Sequence, residues 1–240
     1  MIDLVVAVPA HNERSLIGAC LQSVTAAVEH ARRAGVVRHS TVAVALHRCT
    51  DDTGEQAAAA LADSDVDSVL WTVPERLTVG GVRTRLVEAA AAGLDDRAWV
   101  FSTDADTVVP VDWVTATLQH GLAQRAELVL GLVDLLDWEA DVAAHQAYED
   151  IVSAGLTDAG HAHAYAANLA IRLGAFRRVG GFPEREHGEE HGLAAACRAA
   201  GLPVISTLHP RVRTSARMPG RAGHGLGNLL SELARGPKSA

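Results

Sequence analysis

The chain has 240 residues, 48% of them apolar and 21% charged, with a formal net charge of −8. So apolar a chain is not intrinsically disordered, and its composition is neither collagen-like nor that of a disulfide scaffold. The negative balance argues against a nucleic-acid partner, because phosphates require clustered cations. At about 150 residues per domain, the length suits one domain. Lys238 is the only lysine, so contacts with buried anions fall to Arg, His, backbone N–H groups or a metal. Cys20, Cys49 and Cys197 form no disulfide framework and no CxxC pair, which fits a reducing compartment.

Residues 3–9 (DLVVAVP) are an apolar run that suits a strand buried on both faces, not a signal peptide. Apolar residues at helical spacing fill 14–34 and stop at Gly35. A strand is expected over 41–46, an Ala-rich helix over 52–63, a third strand over 67–73, a helix over 80–93 and a fourth strand over 98–102. This alternation predicts a doubly wound, mostly parallel sheet. Right-handed crossovers gather the loops PAHNE, CTDDT and TDADT at the carboxyl ends of the strands, where open α/β sheets bind ligands. Beyond these lie a helix over 112–124, a strand over 127–136, a helix over 138–155 and a His-containing loop over 156–164. A strand over 165–172, a turn over 180–183, a helix over 189–200 and a strand over 203–208 complete the order. From 209 the tail is rich in Arg and Gly and ends in a short amphipathic helix. No stretch is long and apolar enough to span a membrane.

In TDADT, Asp104 and Asp106 flank the small Ala105. An extended segment would turn both carboxylates to one side, where they suit Mg²⁺ or Mn²⁺; otherwise the motif is a solvated turn. In PAHNE, Pro9 ends the strand. Asn12 either caps the next helix or, with His11 and Glu13, bonds a nucleoside. Asp51 and Asp52 have the same two readings. Arg83 and Arg85 beside a glycine pair suit an anion at a helix N-terminus, or a plain surface. His187–His191 fits H-x-x-E-H, the inverted zinc-protease pattern, with Glu190 as base. Gly188 lies inside that motif, Pro183 shortly precedes it, and the only acid beyond it is Glu232, so a third ligand is wanting. The tail arginines Arg211, Arg213, Arg217 and Arg221 read equally as a lid over a diphosphate and as a basic surface strip.

In this order the motifs resemble those of family 2 glycosyltransferases with a GT-A fold. PAHNE resembles the opening P-x-[YH]-N-E, and STDADT resembles the D-x-D motif. NLAIRLGAFRRVGGFPEREHGEEHGLAAACRAAG resembles the second-half signature, and the likeness spans about 3–208. It implies a single GT-A domain, with a nucleotide-sugar half over 1–110, an acceptor half over 111–208 and the tail over 209–240. It implies donor contacts from Pro9, His11, Asn12, Glu13, Asp51, Arg83 and Asp104. Mn²⁺ or Mg²⁺ would lie on Asp104, Asp106 and a histidine, with His224 ahead of His209 and His191. Glu190, preceded by Glu189, falls at the general base. At a helix N-terminus its pKa should fall.

Two departures are visible. Leu46 stands where many members carry a uracil-binding Asp, and the base is Glu where the family has Asp. TSARMPGRAGHG replaces the Q-x-x-R-W pattern, which implies one transfer per acceptor. The expected activity is cytoplasmic sugar transfer from a nucleotide-sugar to a small or lipid-linked acceptor, with peripheral membrane contact in the lipid case. The rivals are a sugar nucleotidyltransferase, which would want a Gly-rich basic loop after strand one, and a degenerate nucleotide-sugar-binding protein.

Overall fold

The structure is a computed structural model that describes residues 1–158, 160–185, 187–217 and 226–235. Ile2–Ala10 forms β1, and its side chains alternate between two packed layers. Leu4, Val6 and Val8 join one core cluster, and Val5 and Ala7 join the other. A strand covered on both faces must be apolar at successive positions, so the run shows no alternation. Parallel neighbours flank it: β2 (Val37–His47) and, on the other side, β4 (Trp99–Ser102). β3 (Asp67–Val73) pairs parallel with β2.

The helices divide between the two layers. The first cluster takes α1 (Ile17–Arg33), α2 (Thr53–Ala62) and α4 (Trp113–Ala123). The second takes α3 (Val79–Ala90), α6 (Leu173–Val179) and α7 (Glu189–Ala199). With β6 (Leu128–Leu130), β10 (Leu169–Arg172) and β11 (Val204–Ser206), the main sheet runs β11-β6-β10-β4-β1-β2-β3. Only β10 runs antiparallel to its neighbours, so the mostly parallel, doubly wound sheet stands as expected. A second sheet joins β5 (Thr107–Val108), β12 (Val212–Ser215) and β7 (Val133–Leu136). α5 (Val142–Ala154) and α8 (Leu226–Ala234) share a satellite core around Trp138, Tyr148 and Leu230.

Three expectations fail locally. Residues 127–136 are not one strand but β6 and β7, which belong to different sheets. The chain turns at Gly131, where any side chain would run into Asn168. The Asn168 amide donates to the carbonyls of Leu132 (2.8 Å) and Pro210 (3.0 Å), and its oxygen accepts from the Trp113 indole (2.9 Å). Residues 165–172 open with a 3-10 turn at Ala166–Asn168, which places that asparagine. The loop 156–164 contains a two-residue ladder of β8 (Leu156–Thr157) and β9 (Gly160–His161). All three cysteines are free thiols. No described helix is long and apolar enough to cross a membrane.

Candidate functional site

The carboxyl ends of β1 and β4 open, with the start of α7, into a cavity of about 800 Å³. Pro9, His11 and Glu13 line it from the first loop, Asp104 and Asp106 from the third, and Glu189, Glu190 and His191 from α7. Asp51 faces a smaller recess of about 280 Å³, together with Leu46 and Cys49. Arg48 borders both spaces.

The first two loops are stitched together. His11 Nδ1 lies 2.7 Å from the His47 carbonyl. Asn12 has φ of 53°, a left-handed conformation that Asn tolerates, and its side-chain oxygen accepts from the Thr50 N–H at 2.7 Å. It therefore does not cap α1, whose N-cap is Leu16. Asp51 accepts from the Thr53 N–H (3.1 Å) and hydroxyl and from the Arg14 N–H (3.4 Å). Asp52 stands at the N-cap of α2 without a capping bond.

The acidic centre is held by two arginines. Residues 104–107 form a turn closed by Thr107 N–H to the Asp104 carbonyl (3.1 Å), not the extended segment expected. Both carboxylates nevertheless line the one cavity. Asp104 pairs with Arg83, whose guanidinium also donates to the Ser102 hydroxyl (2.7 Å) and lies 3.4 Å from Glu189. Arg83 is only 2% exposed. Arg85 is exposed on α3 outside the cavity. Asp106 accepts from Arg217 at 3.1 Å, and Arg217 forks onto both oxygens of Glu13 at 2.7 and 2.9 Å. Burial, then the negative charges of Asp104 and Glu13, raise the Asp106 pKa to about 7.

Glu189 and Glu190 do open α7, after Gly188 at φ 71°. The expected fall in the Glu190 pKa does not occur. Burial, then the adjacent Glu189 charge, raise it to about 7, outweighing the backbone N–H groups and Arg83. His187 precedes the helix, so the H-x-x-E-H spacing is not carried on one helical face. No group of three or more His, Cys, Asp or Glu side chains poised for a metal occurs among the described residues. His209 is exposed outside the cavity, and His224 and Arg221 lie outside the described residues. His47, Arg48, Tyr148 and Thr214 line the cavity without having been singled out. For His47 and Arg48, the end of a parallel strand was the available signal.

No family model and no curated protein matches the sequence. Solved structures do match the fold. S. aureus TarS in complex with UDP-GlcNAc covers 97% of this chain with a TM-score of 0.66 at 11% identity. Mannosyltransferase PcManGT from Pyrobaculum calidifontis, in complex with GDP-Man and Mn²⁺, covers 90% with a TM-score of 0.67 at 17% identity. Glucosyl-3-phosphoglycerate synthase from Mycobacterium tuberculosis, in complex with phosphoglyceric acid, covers 99% with a TM-score of 0.58 at 19% identity. This chain spans 65%, 58% and 82% of those three chains, respectively. The class defined by this architecture is the GT-A fold. It is the fold of the mannosyltransferase above, with a cavity at the same sheet edge that open α/β sheets use for ligands.

Proposed function

We propose that this chain is a metal-dependent glycosyltransferase that moves one sugar from a nucleotide-sugar to a hydroxyl acceptor. One observation carries the reading: Glu13, Asp104, Asp106 and Glu190 face a single cavity at the carboxyl edge of a GT-A sheet. Residues 1–110 form its donor half and 111–208 its acceptor half. The nucleobase takes the recess beside Leu46, Arg48 and Asp51, which adjoins the main cavity at Arg48.

The carboxylates fit a hard divalent cation. Mg²⁺-type ions use one or two protein carboxylates and complete their shell with phosphate oxygens and water. Asp104 and Asp106 supply that number, and the crowding that raises the Asp106 pKa is relieved by a cation. When bound, such a metal neutralises charge on the leaving diphosphate.

Glu190 is the general base. Both acids line the cavity, but Glu189 is 5% exposed and lies 3.4 Å from the Arg83 guanidinium, which leaves Glu190 to act as the base. Its ionised carboxylate takes the proton of the acceptor hydroxyl. The acceptor oxygen then bonds the anomeric carbon as the bond to the diphosphate breaks. The cavity also has apolar lining, with Val133, Tyr148, Ile151, Val152 and Leu229 among it. It suits an acceptor with an apolar body, either small or lipid-linked.

The test is nucleotide-sugar turnover with Mn²⁺ in wild type, Asp106→Asn and Glu190→Gln. Turnover lost in both variants, with nucleotide binding kept in Glu190→Gln, is the expected result. Nucleotide binding without any turnover by wild type across neutral acceptors would instead identify a degenerate binding protein. Pyrophosphate release from a sugar phosphate and a nucleoside triphosphate would identify a nucleotidyltransferase.

A further inference from the structure

The D-x-D centre already holds a cation, and that cation belongs to the chain. Arg217 Nη1 lies 2.9 Å from Glu13 Oε2, and its Nη2 bridges Glu13 Oε1 (2.7 Å) and Asp106 Oδ2 (3.1 Å). The other Asp106 oxygen accepts from the Thr214 hydroxyl at 3.3 Å. Asp104 Oδ1 is taken by Arg83. The placement of Arg217 is built into the fold. β12 pairs with β5, directly after the D-x-D turn, and the Ser215 N–H donates to the Asp106 carbonyl at 3.0 Å. The Arg217 N–H in turn bonds the Ser215 hydroxyl at 3.2 Å.

Two carboxylates of like sign, the buried Glu13 and the partly buried Asp106, share one planar, forked donor, a task that suits arginine better than lysine. A divalent ion coordinates oxygen at about 2.0–2.6 Å. An ion seated between Glu13 and Asp106 Oδ2 would need the space that the guanidinium nitrogen fills. We propose that Arg217 is the resident counter-cation of this centre, and that a divalent metal enters only by displacing it. Arg217 thus offsets part of the carboxylate charge in the metal-free fold, and the metal loads by exchange. This rests on the metal-dependent reading above.

The experiment is a calorimetric titration with Mn²⁺ alone, without nucleotide, on the full chain. A seat that Arg217 fills about 90% of the time weakens the apparent metal affinity about tenfold. Arg217→Gln should therefore bind Mn²⁺ about tenfold more tightly than wild type. Arg213→Gln removes the same charge four residues away, at an exposed position of β12, and should bind as wild type does. Arg217→Lys keeps a charge at the seat but cannot fork across both acids, and should fall between. It also serves as the reporter if the Gln variant fails to fold, since it must still exceed wild type. Equal affinity in wild type and the Arg217 variants overturns the proposal and leaves the metal site standing. Equal tightening in Arg213→Gln overturns it too, because general charge then explains the gain. Absence of Mn²⁺ binding in every protein removes the metal-dependent reading along with it.

Discussion

At Glu190, burial competes with the pull of a helix terminus. A carboxylate at a helix N-terminus gains from the dipole by less than about 2 kcal/mol. Burial and the neighbouring Glu189 act the other way, and they prevail, raising the pKa to about 7. A general base is most effective with a pKa near the working pH. Transfer should therefore rise with pH through about 7 and level off, and Glu190→Gln should lose about 10²–10⁴-fold in rate. A flat pH–rate profile would contradict the assignment. The same shift makes a stability prediction. Between about 4.5 and 7 the folded protein holds a proton on Glu190 that the unfolded chain has released, so stability falls as pH rises through that window. Glu190→Gln should be more stable than wild type at pH 8 by about 1–3 kcal/mol, with the gain vanishing near pH 4. Thermal melts at both pH values check this. Arg83 has the opposite character. Removing it as Arg83→Met leaves Asp104 and Glu189 without their counter-charge and should cost about 3–5 kcal/mol in urea unfolding.

At the scale of elements, the site depends on how closely α3 approaches α7. The Gly80 position permits it: a Cβ there would strike the Pro183 carbonyl and lie 3.2 Å from the Glu189 Cβ. Gly80→Ala should destabilise the protein by about 1–3 kcal/mol and lower activity as Glu189 and Arg83 are pushed apart. Wild-type stability and turnover would show that the backbone yields more easily than this packing implies. Sequence periodicity revealed most of the elements that carry the cavity. Strands β1, β2 and β4 carry apolar runs and helices α1 to α3 an apolar stripe, so their residue types repeat. The elements it missed lack such a stripe. α6 has seven residues, too few to define a period, and β12 reads VRTS within an Arg-rich tail. The break between β6 and β7 is set by Asn168, distant in sequence, so local pattern carries no trace of it.

For the molecule as a whole, topology made the site legible before any geometry. Three loops were expected at one sheet edge. His11, Glu13, Asp104 and Asp106 from two of them line one cavity, while Asp51 from the third faces the adjoining recess through Arg48. Partnership within the cavity was not legible. That Arg83 is sealed between Asp104 and Glu189, and that Arg217 reaches Glu13 across more than 200 residues of sequence, follow from long-range packing. So does the rise of the Glu190 pKa, because burial depends on what surrounds the helix terminus and not on the terminus itself. The most direct test of the account is donor binding. Calorimetric titrations with UDP-GlcNAc and GDP-Man, with and without Mn²⁺, should be run on wild type and Asp106→Asn. Wild type should bind at least one donor, more tightly with Mn²⁺, and Asp106→Asn should lose the metal-dependent part. Folded wild-type protein that binds neither donor, or binding indifferent to both Mn²⁺ and Asp106, would contradict it.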